Sequence, residues 1–248
     1  MKQLAAGILI LLATAFPARA GEITVFAAAS LTNVLTTMQA DFEKTHPGDS
    51  LKLVFAASGA LLSRMEGGES CDVLISADAD TINTAIDKHR VVAATRVPFA
   101  GNTLVLAVPA GNPAHVTDLE TLSQGGVRRI GVGNPDSVPA GRYAKRALQR
   151  KALWFALTSK LVYYPSVRHV LAALKSGDLD AGFVYATDAS IAGKAVDVAA
   201  DIPLSPSIAY IAALATSAKN QQDATAFLNY LVTPEAGAVL SHFGFAAP

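Results

Sequence analysis

Val25-Phe26-Ala27-Ala28-Ala29-Ser30 and, further on, Val54-Phe55-Ala56-Ala57-Ser58 carry one local instruction twice. Each is a short apolar run, then small residues, then a Ser where helical spacing begins. Beyond Ser30, Leu31, Val34, Leu35, Met38 and Phe42 mark a helix face. Beyond Ser58, Leu61, Leu62 and Met65 mark a shorter one. This predicts strands at Ile23 to Ala28 and Leu51 to Phe55, each feeding a helix whose N-cap is Ser. Working outward, Val73 to Ser76 and Thr103 to Val108 read as further strands. Gly101 and Asn102 before the latter, with Pro109 and Gly111 after it, suggest a hinge between two lobes.

The same alternation resumes beyond the hinge. Thr117-Asp118-Leu119-Glu120 has the spacing of a capping box. Arg129 to Val132 predicts a strand, and Pro139 opens a helix bearing Tyr143, Ala144, Ala147 and Leu148. Val162 to Tyr164 predicts a strand followed by a helix with Val167, Val170, Leu171 and Leu174, ended by Gly177 at C′. Ala181 to Tyr185 and Ile208 to Leu214 complete the strands. From about Asp223 the chain is helical, restarting at Thr233-Pro234-Glu235. Short strands alternating with helices define an α/β protein with mostly parallel strands.

Four helix N-termini, at Ser30, at Ser58, at Pro139-Ala140 and at Ser166-Val167, are thereby expected at strand C-terminal ends, two in each half. Open α/β sheets bind ligands at that edge. A helix N-terminus offers unpaired amide donors and a partial positive charge, which favour an anion. Each taken singly is also an ordinary helix cap. The small residues before Ser30 and Ser58 allow a ligand to approach the backbone.

Composition narrows the function. The chain has 248 residues, 51% hydrophobic and 16% charged, with 20 basic against 20 acidic side chains. This excludes intrinsic disorder and removes the electrostatic case for nucleic acid as a partner. The length accommodates two lobes with separate cores. Met1 to Ala20 reads as a secretory signal: Lys2, an apolar core from Leu4 to Phe16, and Ala18-Arg19-Ala20 as the cleavage site. Its uncharged run is shorter than the ~20 residues of a spanning helix. No Cys adjoins the cleavage site to carry a lipid, so a soluble exported product is expected. The single cysteine, Cys71, excludes an internal disulfide and reads as a small buried hydrophobe.

The segments VFAAASLTNVL, FAASGALLSRMEGG, CDVLISAD, NTLVLAVP, GNPDSVPAGRYAKRAL, SVRHVLAAL, GFVYATDA and FLNYLVTPEAGAVLSHFGF together resemble the periplasmic molybdate-binding proteins of ABC transporters, in order and over essentially the whole mature chain. The resemblance implies a two-lobe periplasmic binding protein fold of type II, with mostly parallel sheets flanked by helices and the ligand in the interlobe cleft. It implies lobe 1 at 21–101 with 204–248 and lobe 2 at 102–203, after a signal peptide at 1–20. It further implies that Ser30 and Ser58 each offer a hydroxyl and a backbone amide, Ala140 and Val167 backbone amides, and Tyr185 its phenolic hydroxyl. The ligand would be molybdate, and tungstate with it. Molybdenum would be bound as its oxyanion, without cation ligands, cofactor or catalytic residue. The partner would be a membrane permease, and the protein a periplasmic monomer. Gly59 follows Ser58 where many relatives carry a second Ser, and Pro165-Ser166 stands where acidic or amide residues often precede the equivalent of Val167.

Two other functions are compatible with a Ser-lined site. A receptor for another tetrahedral oxyanion such as sulfate would use the same donors. An exported hydrolase with Ser30 or Ser58 as nucleophile needs a base. His46, His89, His115, His169 and His242 stand in no recognisable catalytic motif, and no G-x-S-x-G elbow occurs. His169 reads as a solvated helix position, Asp78 and Asp80 as surface or capping carboxylates. Gly131-Val132-Gly133 is a weak dinucleotide fingerprint, spoiled by Pro135 and Asp136.

Overall fold

The computed structural model describes residues 21–248; the expected signal peptide, 1–20, lies outside the described residues. Strands β1 (Gly21–Ala28), β2 (Asp49–Ala56), β3 (Val73–Ser76) and β4 (Val97–Asn102) alternate with helices α1 (Thr32–Thr45), α2 (Ser58–Glu66) and α3 (Ala79–Asp87). Next come β5 (Leu104–Pro109), β6 (Ile130–Gly133), α4 (Pro139–Arg150), β7 (Leu161–Tyr164), α5 (Val167–Lys175), β8 (Ala181–Tyr185), α6 (Ala186–Ala192) and β9 (Val196–Ile202). The chain ends with β10 (Ile208–Leu214), α7 (Gln221–Tyr230) and α8 (Pro234–His242).

The strands form two five-stranded sheets, ordered β2-β1-β3-β10-β4 and β7-β6-β8-β5-β9. In the first, β1 runs parallel to β2 and β3, whereas β10 is antiparallel to both its neighbours. In the second, β6 runs parallel to β7 and β8, and β5 is antiparallel to β8 and β9. Each sheet therefore has one reversed strand, and the others point the same way. The reversed strand is in each case the one that has just crossed from the other sheet: β5 after Thr103, β10 after 203–207. The first crossing falls one residue beyond Gly101-Asn102, where the sequence suggested a hinge.

The apolar positions pack as their spacing required. Val34, Leu35, Met38 and Phe42 of α1 are buried. So are Tyr143, Ala144, Ala147 and Leu148 of α4. Gly177 has φ of 75° after α5, as a C′ glycine does. Thr233 caps α8, its hydroxyl accepting from the Ala236 amide at 3.2 Å. Cys71 is fully buried, its thiol pushed up to about 12 by loss of solvent, and so inert. No helix among the described residues is long and apolar enough to cross a membrane.

Several expectations are corrected. The segment at Thr117 forms no α-helix: Glu120–Ser123 is a short 3-10 turn, and Asp118, not Thr117, accepts from the Thr121 amide at 2.8 Å. Strand β4 carries Pro98 and Gly101, which disfavour a strand. It survives because it is an edge strand of its sheet, with the register shift to β10 falling beside Pro98. Helices α3 and α6 and strand β9 are additional to the elements expected from the sequence. Gly133 and Gly141 serve close packing. A Cβ on Gly141 would lie 1.8 Å from the Gly133 carbonyl oxygen, so glycine is what lets α4 approach β6.

Candidate functional site

The carboxyl ends of β1, β2 and β3 from one sheet face those of β6, β7 and β8 from the other. Between them is a cavity lined by Ala28, Ser30, Ser58, Ala140, Val167 and Tyr185, among others. About 10 Å³ of it is open to the centre of a water molecule, close to the volume that admits one such sphere. The cavity is therefore small. All five residues proposed from the sequence lie on this one cavity.

Each reaches it by a distinct local route. After β1 the chain makes a 3-10 turn at Ala29–Leu31 before α1, so Ser30 lies inside the turn. Ser58 is the first residue of α2, and Ala57 is its N-cap. Neither Ser is therefore the N-cap expected from the sequence, and neither hydroxyl bonds its own helix. The N-caps are Leu31 for α1 and an extended Ala57 for α2, and the two hydroxyls bond elsewhere. Ser30 Oγ is 2.9 Å from the Tyr210 hydroxyl. Ser58 Oγ accepts from the Ala77 amide at 3.1 Å. Both serines are buried.

From the other sheet, Pro139 opens α4 and places Ala140 in its first turn. Val167 opens α5 behind an extended Ser166 N-cap, whose hydroxyl turns to His169 Nδ1 at 2.8 Å. His169 is exposed, as expected, but holds that bond. Two helices of nine or more residues thus aim their N-termini at the cavity from this side, and α1 and α2 do so from the first.

Tyr185 ends β8. Its ring is buried to 1% exposure, and its hydroxyl has no hydrogen-bond partner. Burial pushes its phenol well above the ordinary value, so it stays protonated. A buried hydroxyl left unpaired costs about 1–3 kcal/mol. Such an orphan, on the wall of a cavity ringed by amide donors, marks a place where a polar solute completes the bonding.

Charge is kept out of the lining and paired behind it. Arg168, next to Val167, lies with Nε 2.7 Å from buried Asp188 Oδ1. Its Nη2 donates to the Ser30 carbonyl at 3.0 Å and its Nη1 to Asn33 Oδ1 at 2.8 Å. Burial raises the Asp188 carboxyl to about 6, against the opposing pull of Arg168. Asp78 caps α3 by accepting from the Thr81 amide at 3.1 Å. It is also paired across the cleft with Arg142 at 2.7 Å, and Arg146 bridges to Asp80 beside it. Asp78 is thus the capping carboxylate expected from the sequence, with an added partner in the opposite half that no local pattern signals. Gly59 N–H donates across the cleft to the Ser137 carbonyl at 2.9 Å.

This is the architecture of two α/β halves meeting around one small cavity, and comparison with known proteins agrees with it. A family model described as bacterial extracellular solute-binding protein matches residues 23–246. The chain belongs to that family. Such proteins are transport receptors, and this one is therefore not an enzyme. The molybdate-binding protein ModA of Escherichia coli K12 is 36% identical over 233 residues, covering 91% of this chain and 89% of that protein. A Bacillus subtilis strain 168 protein described as a putative ABC transporter substrate-binding lipoprotein, YvgL, is 34% identical over 227 residues, covering 91% and 86%. The solved substrate-binding domain of a putative molybdenum ABC transporter from Clostridium difficile is 29% identical, with a TM-score of 0.68, covering 92% of this chain and 99% of that one. As in other extracellular solute-binding proteins, the site of action lies outside the cytoplasm.

The serine-nucleophile alternative finds no support among the described residues. Ser30 and Ser58 have Tyr210 and the Ala77 amide as partners, and no imidazole. No cluster of His, Cys, Asp or Glu there is arranged to hold a cation.

Proposed function

We propose that this receptor captures molybdate, and tungstate with it, between its two halves and delivers the ion to the permease of an ABC transporter. The observation that carries the reading is the unpartnered, buried Tyr185 hydroxyl sharing one small cavity with the Ser30 and Ser58 hydroxyls and with the N-termini of α4 and α5. The Ser30, Ser58, Ala140 and Val167 amides and the three hydroxyls of Ser30, Ser58 and Tyr185 would supply donors only. An oxyanion without protons asks for nothing else. Hydrogen phosphate brings an O–H that needs an acceptor, and leaving it unpaired costs ~1–3 kcal/mol. Sulfate, whose bonds to oxygen are shorter, is discriminated by size. The relatives named for molybdate support the same choice.

Lobe 1 is assigned to 21–101 with 204–248 and lobe 2 to 102–203, turning about the two crossings and closing on the ion. No cofactor is needed for capture. The protein is proposed to be exported to the periplasm by Met1–Ala20 and to act as a monomer.

Thermal unfolding of ligand-stripped protein with molybdate, tungstate, sulfate or phosphate in separate samples tests this. A ligand at a thousand times its Kd stabilises by ~4 kcal/mol, or about 10 °C at this size. A shift of that order with molybdate and tungstate, and little with sulfate or phosphate, is expected. A shift with sulfate alone would change the transported ion. No shift with any of the four would overturn the assignment.

A further inference from the structure

Behind Ser30 lies a chain of side-chain hydrogen bonds that has one consistent direction. Asn102, the last residue of β4, accepts from the Thr103 amide through Oδ1 at 2.8 Å. That bond fixes which way its carboxamide faces, so Nδ2, a donor only, points at the Tyr210 hydroxyl, 3.2 Å away, and at Thr187 Oγ1, 2.9 Å away. Tyr210 therefore accepts from Asn102. Its own proton has one remaining neighbour, Ser30 Oγ at 2.9 Å, in a place where Tyr210 is fully buried. The opposite arrangement, with Ser30 donating to Tyr210, would strand the phenolic proton without a partner. Burial raises the Tyr210 phenol far above its ordinary value, so this proton is held at any working pH.

With an acceptor position of Ser30 occupied by Tyr210, the Ser30 proton is the group left to face the cavity. We propose that Asn102 and Tyr210 are positioning residues that lock Ser30 as a donor, and that they thereby set the discrimination between proton-free and proton-bearing oxyanions. The inference rests on the oxyanion reading above and deepens it. Ser58 reaches the same polarity by a different route, because its acceptor position is taken by the Ala77 amide. The Asn102 carboxamide joins Tyr210 on β10 of the first sheet to Thr187 on α6, beside the second, at the first crossing. The donor polarity of Ser30 is thus tied to the relation between the two halves.

Two isosteric variants test this. Tyr210→Phe keeps the ring against Phe99, Tyr185 and Phe245, whose centroids lie 6.5, 6.0 and 5.4 Å away, and removes only the proton that orients Ser30. Asn102→Asp keeps the bond to the Thr103 amide but turns the group facing Tyr210 from donor to acceptor, drawing the phenolic proton away from Ser30. The probes are molybdate, to establish binding, and the pair selenate and hydrogen arsenate at pH 8, which match in charge and size and differ in one proton. Dissociation constants are measured by calorimetric displacement, and unfolding of the ligand-free variants checks their fold.

In the wild type selenate should bind more tightly than hydrogen arsenate. In each variant the ratio should shrink about tenfold, the effect of one misoriented hydrogen bond to an ion. Equal losses for both anions, or unchanged ratios in both variants, would assign Tyr210 and Asn102 a merely structural role and overturn the inference. A wild type that binds none of the probes, molybdate included, would instead sink the oxyanion reading itself.

Discussion

Tyr185→Phe is the most economical perturbation of the site, because it deletes one oxygen and its proton and keeps the ring. In the closed geometry that oxygen is buried and unpaired, so the free protein loses no hydrogen bond when it is removed. Relief of a buried unpaired hydroxyl is worth about 1–3 kcal/mol; the ligand-free variant should unfold at the wild-type temperature or a few degrees above it. The bound state responds with the opposite sign. A hydrogen bond to a charged group contributes about 1.5–3 kcal/mol, which corresponds to a Kd about 10- to 100-fold weaker. Titration calorimetry with molybdate and unfolding of the ligand-free protein give the two quantities from one preparation. Stability held or raised together with weakened binding is the expected pair. A variant that binds molybdate as the wild type does, or a ligand-free variant that unfolds well below it, would refute the reasoning, since Tyr185 would then be a packing residue and nothing more.

The remaining predictions concern closure and protonation. A Cβ at Gly59 would lie 2.8 Å from the Ser137 carbonyl oxygen and 2.9 Å from its Cα, across the cleft; Gly59→Ser should weaken molybdate binding about tenfold or more with ligand-free stability nearly unchanged, and equal affinity would show that the halves do not meet there. Arg142→Met removes the buried ion pair with Asp78 and the 2.7 Å bond to Thr81. Because these act only across the cleft, affinity should fall about tenfold, mainly through faster release in stopped-flow traces, and an unchanged off-rate would refute this. The Asp188 carboxyl, raised by burial from 3.8 to about 6, binds its proton more tightly in the folded state. Its contribution to stability is therefore full below about pH 4 and lost as pH rises through 6. Relative to Asp188→Asn, the wild type should lose stability across that window in pH-resolved unfolding, and a constant difference between the two would contradict the assignment.

Much of this was legible in the chain because it depends on local physics. Short apolar runs and period-3.6 spacing gave β1, β2, α1 and α2, and Pro139 and Gly177 placed helix ends through fixed backbone preferences. The same logic put Ser30, Ser58, Ala140 and Val167 at strand-to-helix junctions, even though Ser30 and Ser58 turned out not to be caps. What escaped depends on tertiary context. Strand β4 contains Pro98, which only an edge position accommodates. Tyr185 came from the family resemblance alone, because a strand-end Tyr is ordinarily a core residue. In the sequence Asn102 reads only as part of a hinge and Tyr210 only as one position in an apolar strand. Their relation to Ser30 spans 108 positions from Asn102 to Tyr210 and 180 from Ser30 to Tyr210, and no local pattern encodes it.

The placement of charge explains how a site of this kind stays selective. A Lys or Arg in the lining would attract every anion, adding the same Coulombic attraction to the wanted ion and its competitors. Here Arg168, next to the lining residue Val167, is balanced by Asp188 and tied to the Ser30 carbonyl. Arg142 and Arg146 are balanced by Asp78 and Asp80. The field left at the cavity comes from four helix N-termini and oriented hydroxyls, whose influence falls off within a turn and depends on where each oxygen of the ligand sits. Discrimination then follows from geometry and from the direction of each proton, the two properties that distinguish one tetrahedral oxyanion from another. Those arginines instead join the halves: Arg142 and Arg146 reach from α4 to α3, and Arg168 from α5 to the turn at Ser30. Recognition is carried by neutral donors and closure by paired charges, so a change at Arg142 should weaken all bound oxyanions alike, while a change at Tyr210 should alter their order.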